Sequence, residues 1–193
     1  MCSEKEVNEP VVLVDQQHSN VLVPGWRAVR GHVVADGITI NKHDSLTIGV
    51  YTSDCLPLVL LGEEFAAVLH ISRKSVANGI LQVAAKAMEI SKVRSVYLGP
   101  HICADHFYFE EMREDLKLLY RMYPNSFAKK NDVWHVSLRT VVLSWLDSGR
   151  HMPEVIFDTR CTFEDSRLPS YRRGAMGTAA NKTRLITTIR SLK

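Results

Sequence analysis

His18, Cys55 and His70 are the side chains whose types first suggest chemistry. One thiolate and two imidazoles make a three-ligand set that leaves a fourth position open on a tetrahedral zinc, where water or a substrate atom is polarised. Their spacing, 37 positions and then 15, matches no short zinc motif. The residues alone therefore leave two readings, an open metal site or a buried thiol with two capping or surface histidines. Cys55 and His70 also fit a metal-free nucleophile and base. The run His101-Ile102-Cys103-Ala104-Asp105-His106 holds further ligand types, with Asp105 placed where a helix N-cap belongs. Arg73-Lys74 and Tyr171-Arg172-Arg173 carry cations that suit an oxyanion or sit solvated.

The elements that must position these groups follow from the apolar pattern. Leu56–Leu61 and Phe65–His70 read as two buried strands joined by a tight Gly62-Glu63-Glu64 turn. A hairpin of that kind brings Cys55 and His70 to one edge. Beyond it, Ser72-Arg73-Lys74-Ser75 opens a helix expected from Ser75 to Ser91, with an anion-friendly N-terminus.

Upstream, Val11–Val14, Val21–Val23, His32–Val34, Ile38–Ile40 and Leu46–Tyr51 are short β-branched runs, and Asp36-Gly37 is a tight-turn dipeptide. Val11–Val14 is too apolar for a comfortable free edge and is expected inside a sheet. Downstream come a strand over Arg94–Leu98, a helix over Asp105–Met122 and a helix capped by Ser137. Val155–Phe157 reads as a strand and Thr178–Leu192 as a closing helix.

With 193 residues, no linker and no repeat, the chain is expected to form a single domain over 1–193. Its 46% apolar and 23% charged residues are those of an ordinary soluble globule. A net charge of +3 gives no argument for nucleic-acid binding, and no run of about 18 apolar residues argues for a membrane span. Cys2, Cys55, Cys103 and Cys161 lack disulfide-framework spacing, and the N-terminus is unlike a signal peptide, so a cytoplasmic protein with free thiols is expected.

Several motifs then resemble one family. Thr52-Ser53-Asp54-Cys55-Leu56-Pro57 is similar to the T-A-D-C-x-P motif of the YfiH/laccase-domain family, whose members are described as purine nucleoside phosphorylase-type, polyphenol oxidase-type or peptidoglycan-editing. Gln17-His18 resembles its Q-x-H segment, Ala35-Asp36-Gly37 its A-D-G turn, and His70 the histidine of H-A-G-W-R-G. Gly99-Pro100-x-Ile102, Cys161-Thr162 and Ser170-Tyr171-Arg172-Arg173 resemble its G-P-x-I, C-T and S-Y-R-R signatures.

The resemblance implies an α+β fold, a layered α/β/β/α sandwich with mixed sheets, related to the catalytic fold of the cytotoxic necrotizing factor toxins. It implies zinc, or less favourably copper, on His18, Cys55 and His70. The leading expectation is a purine nucleoside phosphorylase or adenosine deaminase, a transferase or hydrolase taking nucleoside and phosphate. Cys55, His70 and Asp54 are its catalytic candidates, and Lys74, Arg73, Arg172 and Arg173 its anion-binding candidates. The alternatives are a peptidoglycan-precursor editing hydrolase using Cys–His chemistry and a non-catalytic binding protein.

Departures bear on both. His70-Ile71-Ser72-Arg73-Lys74-Ser75 replaces H-A-G-W-R-G, and Lys74 keeps the charge of the family's arginine without its fork. Few residues precede His18 compared with the family, so a partner, as in a homodimer, is expected to complete the site.

Overall fold

A computed structural model describes residues 10–149, 152–176 and 183–190. The first half runs β1 (Val11–Val12), β2 (Leu22–Pro24), α1 (Gly25–Ala28), β3 (Gly37–Asn41), β4 (Thr47–Thr52), β5 (Leu56–Gly62) and β6 (Phe65–Ile71). Then come α2 (Arg73–Ala77), α3 (Ile80–Ala87), β7 (Val93–Leu98), β8 (Tyr108–Phe109) and α4 (Glu114–Met122). The chain continues with β9 (Phe127–Lys130), β10 (Val133–Val136), α5 (Leu138–Asp147), β11 (Glu154–Phe157), α6 (Tyr171–Ala175) and β12 (Leu185–Arg190).

The centre is a six-stranded mixed sheet in the order β11-β7-β5-β6-β3-β2. Strands β5 and β6 are nearly continuous apolar runs because both of their faces are covered. Leu56, Leu58, Leu60, Leu69 and Ile71 point to one side, against Val76, Ile80, Leu81, Leu116, Val141 and Trp145 of the helices. Val59, Val68, Ile38 and Ile40 point to the other, against Ile48 and Val50 of β4. Each such fully buried aliphatic side chain contributes about 1.5–3 kcal/mol relative to exposure. β4 is the middle of a second sheet, β1-β4-β12, so helices, the six-stranded sheet and this sheet form successive layers. The fold is mixed α/β, and β8-β10-β9 is a third, smaller sheet.

Several expectations change here. Leu185–Arg190, part of the expected closing helix, is a strand antiparallel to β4. Its β-branched Ile186-Thr187-Thr188-Ile189 run suits a pleated surface; residues 178–182 and 191–192 of that segment lie outside the described residues. Among the described residues, Val11–Val12 pairs with β4 alone and so lies at a sheet edge, not inside it. Val34 makes only an isolated bridge to Asp15, so His32–Val34 is no strand.

The helix expected over Ser75–Ser91 breaks after α2 because Gly79 takes a φ of +94°, open to glycine at little strain. The helix expected from Asp105 begins only at Glu114; Tyr108–Phe109 pairs with β10, and Asp105 forms an ion pair with Lys130 (2.8 Å). The β9–β10 hairpin, unread in the sequence, turns on Asn131-Asp132, both at positive φ. Ser137 does cap α5, accepting from the Thr140 N–H at 3.1 Å. No helix among the described residues is long and apolar enough to cross a membrane.

Candidate metal centre

The β5–β6 register pairs Leu56 with Ile71 and Pro57 with His70, which sets Cys55 and His70 at the same edge of the central sheet. The loop after β1 brings His18 to that edge, its ring 4.9 Å from the His70 ring. One ligand atom from each of His18, Cys55 and His70 lies within 4.8 Å of the other two.

A residue read in the sequence only as part of a turn organises this convergence. Asp36 is fully buried, and its carboxylate accepts from the backbone N–H groups of Gln17 (3.2 Å), His18 (3.0 Å) and Ser19 (2.6 Å) and from the Ser19 hydroxyl (2.7 Å). It also holds His70 Nδ1 at 2.7 Å, leaving Nε2 as the free ring nitrogen. His18 itself sits at a φ of +59°, a strained region for a residue with a side chain. The Asp36 bonds and an Asn78 side-chain bond to the His18 carbonyl (3.2 Å) maintain it there.

Gln16, two positions before His18, pairs through both ends of its amide with the Tyr51 backbone (2.7 and 2.8 Å). Gln16 therefore occupies the glutamine position of the Q-x-H pattern, while Gln17 bonds Asp15. On the far side of His70, Ser72 and Ser75 form a buried reciprocal cap on α2 (3.0 and 2.8 Å), and the Ser75 hydroxyl also donates to the His70 carbonyl.

The electrostatics favour a charged pair. Burial raises the Cys55 thiol pKa, but hydrogen bonds from His18 and His70 and their charge outweigh it and bring it to about 7. Burial lowers His70, but Asp36 and then Cys55 outweigh it and raise it to about 9. Burial raises Asp36, yet His70 and Ser19 hold it below the usual carboxylate range. Two imidazoles and one thiolate, with one imidazole fixed through its second nitrogen by a carboxylate, fit a divalent metal; that outer carboxylate is the usual orienting partner of a metal-bound histidine.

The other candidate residues separate. The Asp54 carboxylate accepts from the Thr162 hydroxyl and the Arg172 N–H, both at 2.7 Å, and its carbonyl accepts from the Ile102 N–H. Those bonds make it a brace. The Arg173 guanidinium donates to the carbonyls of Thr162 (2.8 Å), Phe163 (2.7 Å), Asp165 and Leu168. Arg73 forms an ion pair with Asp115 of α4 and lies over the Phe109 ring. Lys74 is exposed on α2.

Arg172 lies over Tyr108 and Phe109 and lines, with Glu110, Glu111 and Arg113, a cleft of about 530 Å³. Burial and the charges of Arg113 and Arg172 lower the Arg73 pKa while Cys55 raises it, so this arginine group and the triad thiol share one electrostatic neighbourhood. Arg113 had no sequence signal beyond its charge.

A second group gathers elsewhere. Cys103, His106, Cys161 and Glu164 place their ligand atoms within 4.8 Å of one another. His101 of the same run is not among them; it is buried and its Nδ1 lies 2.8 Å from the Gly99 carbonyl.

The family described as multi-copper polyphenol oxidoreductase laccase matches residues 1–187. A protein named purine nucleoside phosphorylase from Aquifex aeolicus is 23% identical over 185 residues, covering 94% of this chain and 82% of its own. Another of that name from Corynebacterium glutamicum is 30% identical over 182 residues, covering 86% and 70%. Among solved structures, a Neisseria meningitidis protein superposes with a TM-score of 0.79 at 25% identity, over 94% of this chain and 74% of that one. The hypothetical protein YfiH of Bacillus licheniformis gives 0.76 at 17% identity, over 93% and 73%. YlmD of Geobacillus stearothermophilus gives 0.75 at 16%, over 93% and 73%.

Proposed function

Since the chain belongs to the multi-copper polyphenol oxidoreductase laccase family, with relatives named purine nucleoside phosphorylase, we propose that it is a zinc-dependent enzyme acting on purine nucleosides. The observation that carries this reading is the convergence of His18, Cys55 and His70 on one point at the sheet edge, with Asp36 behind them. His18, Cys55 and the Nε2 of His70 would hold the metal, which when bound polarises a substrate group or activates water.

The remaining work falls to the chain's own residues. Asp36 keeps the His70 ring in the orientation that presents Nε2, and it fixes the His18 backbone through the adjoining N–H groups. Tyr108 and Phe109 line a cleft whose volume suits a nucleoside-sized ligand. Arg113 and Arg172 supply positive charge there for phosphate or another anionic group, with Arg73 and Lys74 contributing field from α2. In phosphorolysis a phosphate oxygen forms the new bond to the sugar carbon as the purine nitrogen departs and takes up a proton. Adenosine deamination, with water as the second reactant, is the companion activity of the same site.

The test is turnover. Zinc-loaded protein with inosine or adenosine and phosphate should release free base and sugar phosphate, and His18→Asn should abolish the release. Protein carrying zinc on the triad yet turning over neither nucleoside, with phosphate or water, would rule the reading out.

One observation favours a second reading: Cys55, His70 and Asp36 also have the order of a thiol, a base and a carboxylate that orients the base. A hydrolase of that kind would keep its activity after complete removal of metal, whereas the zinc enzyme would lose it.

A further inference from the structure

Two pairs with the same short spacing lie far apart in the chain, Cys103-x-x-His106 and Cys161-x-x-Glu164. Each pair spans a tight turn. The His106 and Phe107 N–H groups both donate to the Cys103 carbonyl (3.2 and 3.0 Å), and the Asp165 N–H donates to the Cys161 carbonyl (2.9 Å). The His101–Cys161 bridge and the Thr162 N–H bond to the His101 carbonyl lay the two turns side by side.

The result is a focused donor set. Cys103 Sγ is 3.1 Å and Cys161 Sγ 3.9 Å from His106 Nδ1. Glu164 Oε1 is 3.6 Å from Cys103 Sγ and 3.4 Å from His106 Nδ1. A tetrahedral zinc with bonds of about 2.3 Å to sulfur and about 2.0–2.1 Å to nitrogen and oxygen needs edges of roughly 3.3–3.8 Å. The four edges at 3.1, 3.9, 3.6 and 3.4 Å lie within about half an ångström of those values, and every ligand atom of the group is within 4.8 Å of the others. Two further contacts fit the same purpose. The Cys103 N–H donates to Cys161 Sγ at 3.2 Å, and Phe163 stacks on the His106 ring at 4.2 Å. A disulfide would use the two sulfurs alone and give no reason for an imidazole and a carboxylate to point at them.

We propose that Cys103, His106, Cys161 and Glu164 form a second zinc site, separate from the triad, closed by four protein ligands. The chemistry is structural. Two thiolates select zinc over hard cations, and with no open position the ion cross-links two loops. Those loops brace the triad through Asp54, which precedes Cys55: Thr162 donates to its carboxylate (2.7 Å) and Ile102 to its carbonyl (3.0 Å). The second site thus fixes the approach to β5 from which Cys55 projects.

Metal counting on the full chain tests this without relying on the triad. The Cys55→Ser protein, purified under reducing conditions, should retain about one zinc per chain. Replacing zinc in it by cobalt(II) should give the sulfur-to-cobalt charge-transfer and intense tetrahedral d–d bands of a two-thiolate site. Adding Cys103→Ser should remove both ion and bands. Glu164→Gln, a milder variant on an exposed side chain, should weaken cobalt binding measurably while circular dichroism stays unchanged. A Cys55→Ser protein that is folded, has reduced thiols and takes up neither zinc nor cobalt overturns the proposal. So does a Cys103–Cys161 disulfide found by mass spectrometry in protein isolated with thiols trapped at lysis. Should the triad fail to bind zinc, wild type and Cys55→Ser would each hold one ion, and the second site would stand alone.

Discussion

The His18–Cys55–His70 triad and the Cys103–His106–Cys161–Glu164 group both set thiol beside imidazole, yet Cys55 and Cys103 shift in opposite directions. Burial raises the pKa of both cysteines, yet Cys55 ends near 7 and Cys103 near 12. At Cys55 the neighbours are two imidazoles, one of them charged and held by Asp36. At Cys103 burial is reinforced by a second thiol, Cys161, and by the Glu164 carboxylate. The triad thus couples a lowered thiol to a raised imidazole, whereas burial and the acidic neighbours of Cys103 push its thiol up. The wider lesson is that the partner of the imidazole matters as much as the imidazole. His70 Nδ1 is engaged by Asp36 outside the donor set, whereas His106 Nδ1 is itself a member of the set.

Damage to the triad should therefore remove activity and spare the fold, while damage to the second group should loosen the fold. The largest effect should come from Cys55→Ser, with kcat/KM for nucleoside phosphorolysis falling at least about 10³-fold, or about 4 kcal/mol of transition-state stabilisation. Its Tm should stay within a few degrees of wild type, and an unfolded variant would erase the contrast.

Cys103→Ser should do the reverse. A stability loss of about 2 kcal/mol lowers Tm by roughly 4–8 °C in a chain of this size, and calorimetry with and without a zinc chelator would measure it. Chelation that leaves the wild-type Tm unmoved would remove the cross-linking role.

Asp36→Asn sharpens the comparison, because it alters the carboxylate and leaves every proposed ligand in place. Loss of such an orienting group lowers metal affinity or activity about 10–100-fold. An amide also puts a donor against donors, so denaturant titration should show a further loss of about 1–3 kcal/mol.

Smaller effects separate the two neighbouring arginines. Arg173→Ala frees the carbonyls it holds and should destabilise by about 1–3 kcal/mol with phosphate KM unchanged, whereas Arg172→Ala should raise that KM. The smallest change is expected for Lys74→Met, a stability shift within about 0.5 kcal/mol, accompanied by a higher phosphate KM. A KM equal to wild type would reduce Lys74 to solvated surface.

The sequence by itself determined whatever depends on neighbours along the chain. Apolar runs marked β5, β6 and β7; the Gly62-Glu63-Glu64 turn set Cys55 and His70 at one edge; Ser137 announced its helix. Hairpin register follows from a short turn and an apolar pattern, so this half of the triad was legible. Local pattern misled where a segment's partner is distant. Leu185–Arg190 falls within an expected helix, and pairing along β4 together with its β-branched run makes it a strand. Tertiary structure alone decided the polar constellations. Asp36 looks like a turn residue until three loop N–H groups and His70 surround it, and the partners of Asp54 (Thr162 and Arg172) and of Arg173 (carbonyls between Thr162 and Leu168) are set only by the folded chain. Cys103 and Cys161, 58 positions apart, meet only because the loops carrying them run side by side. Hydrophobic period encodes which face is buried, but a hydrogen bond or ligand set spanning distant loops carries no period, and its members are identified only when the packed sheets bring them within 3–4 Å.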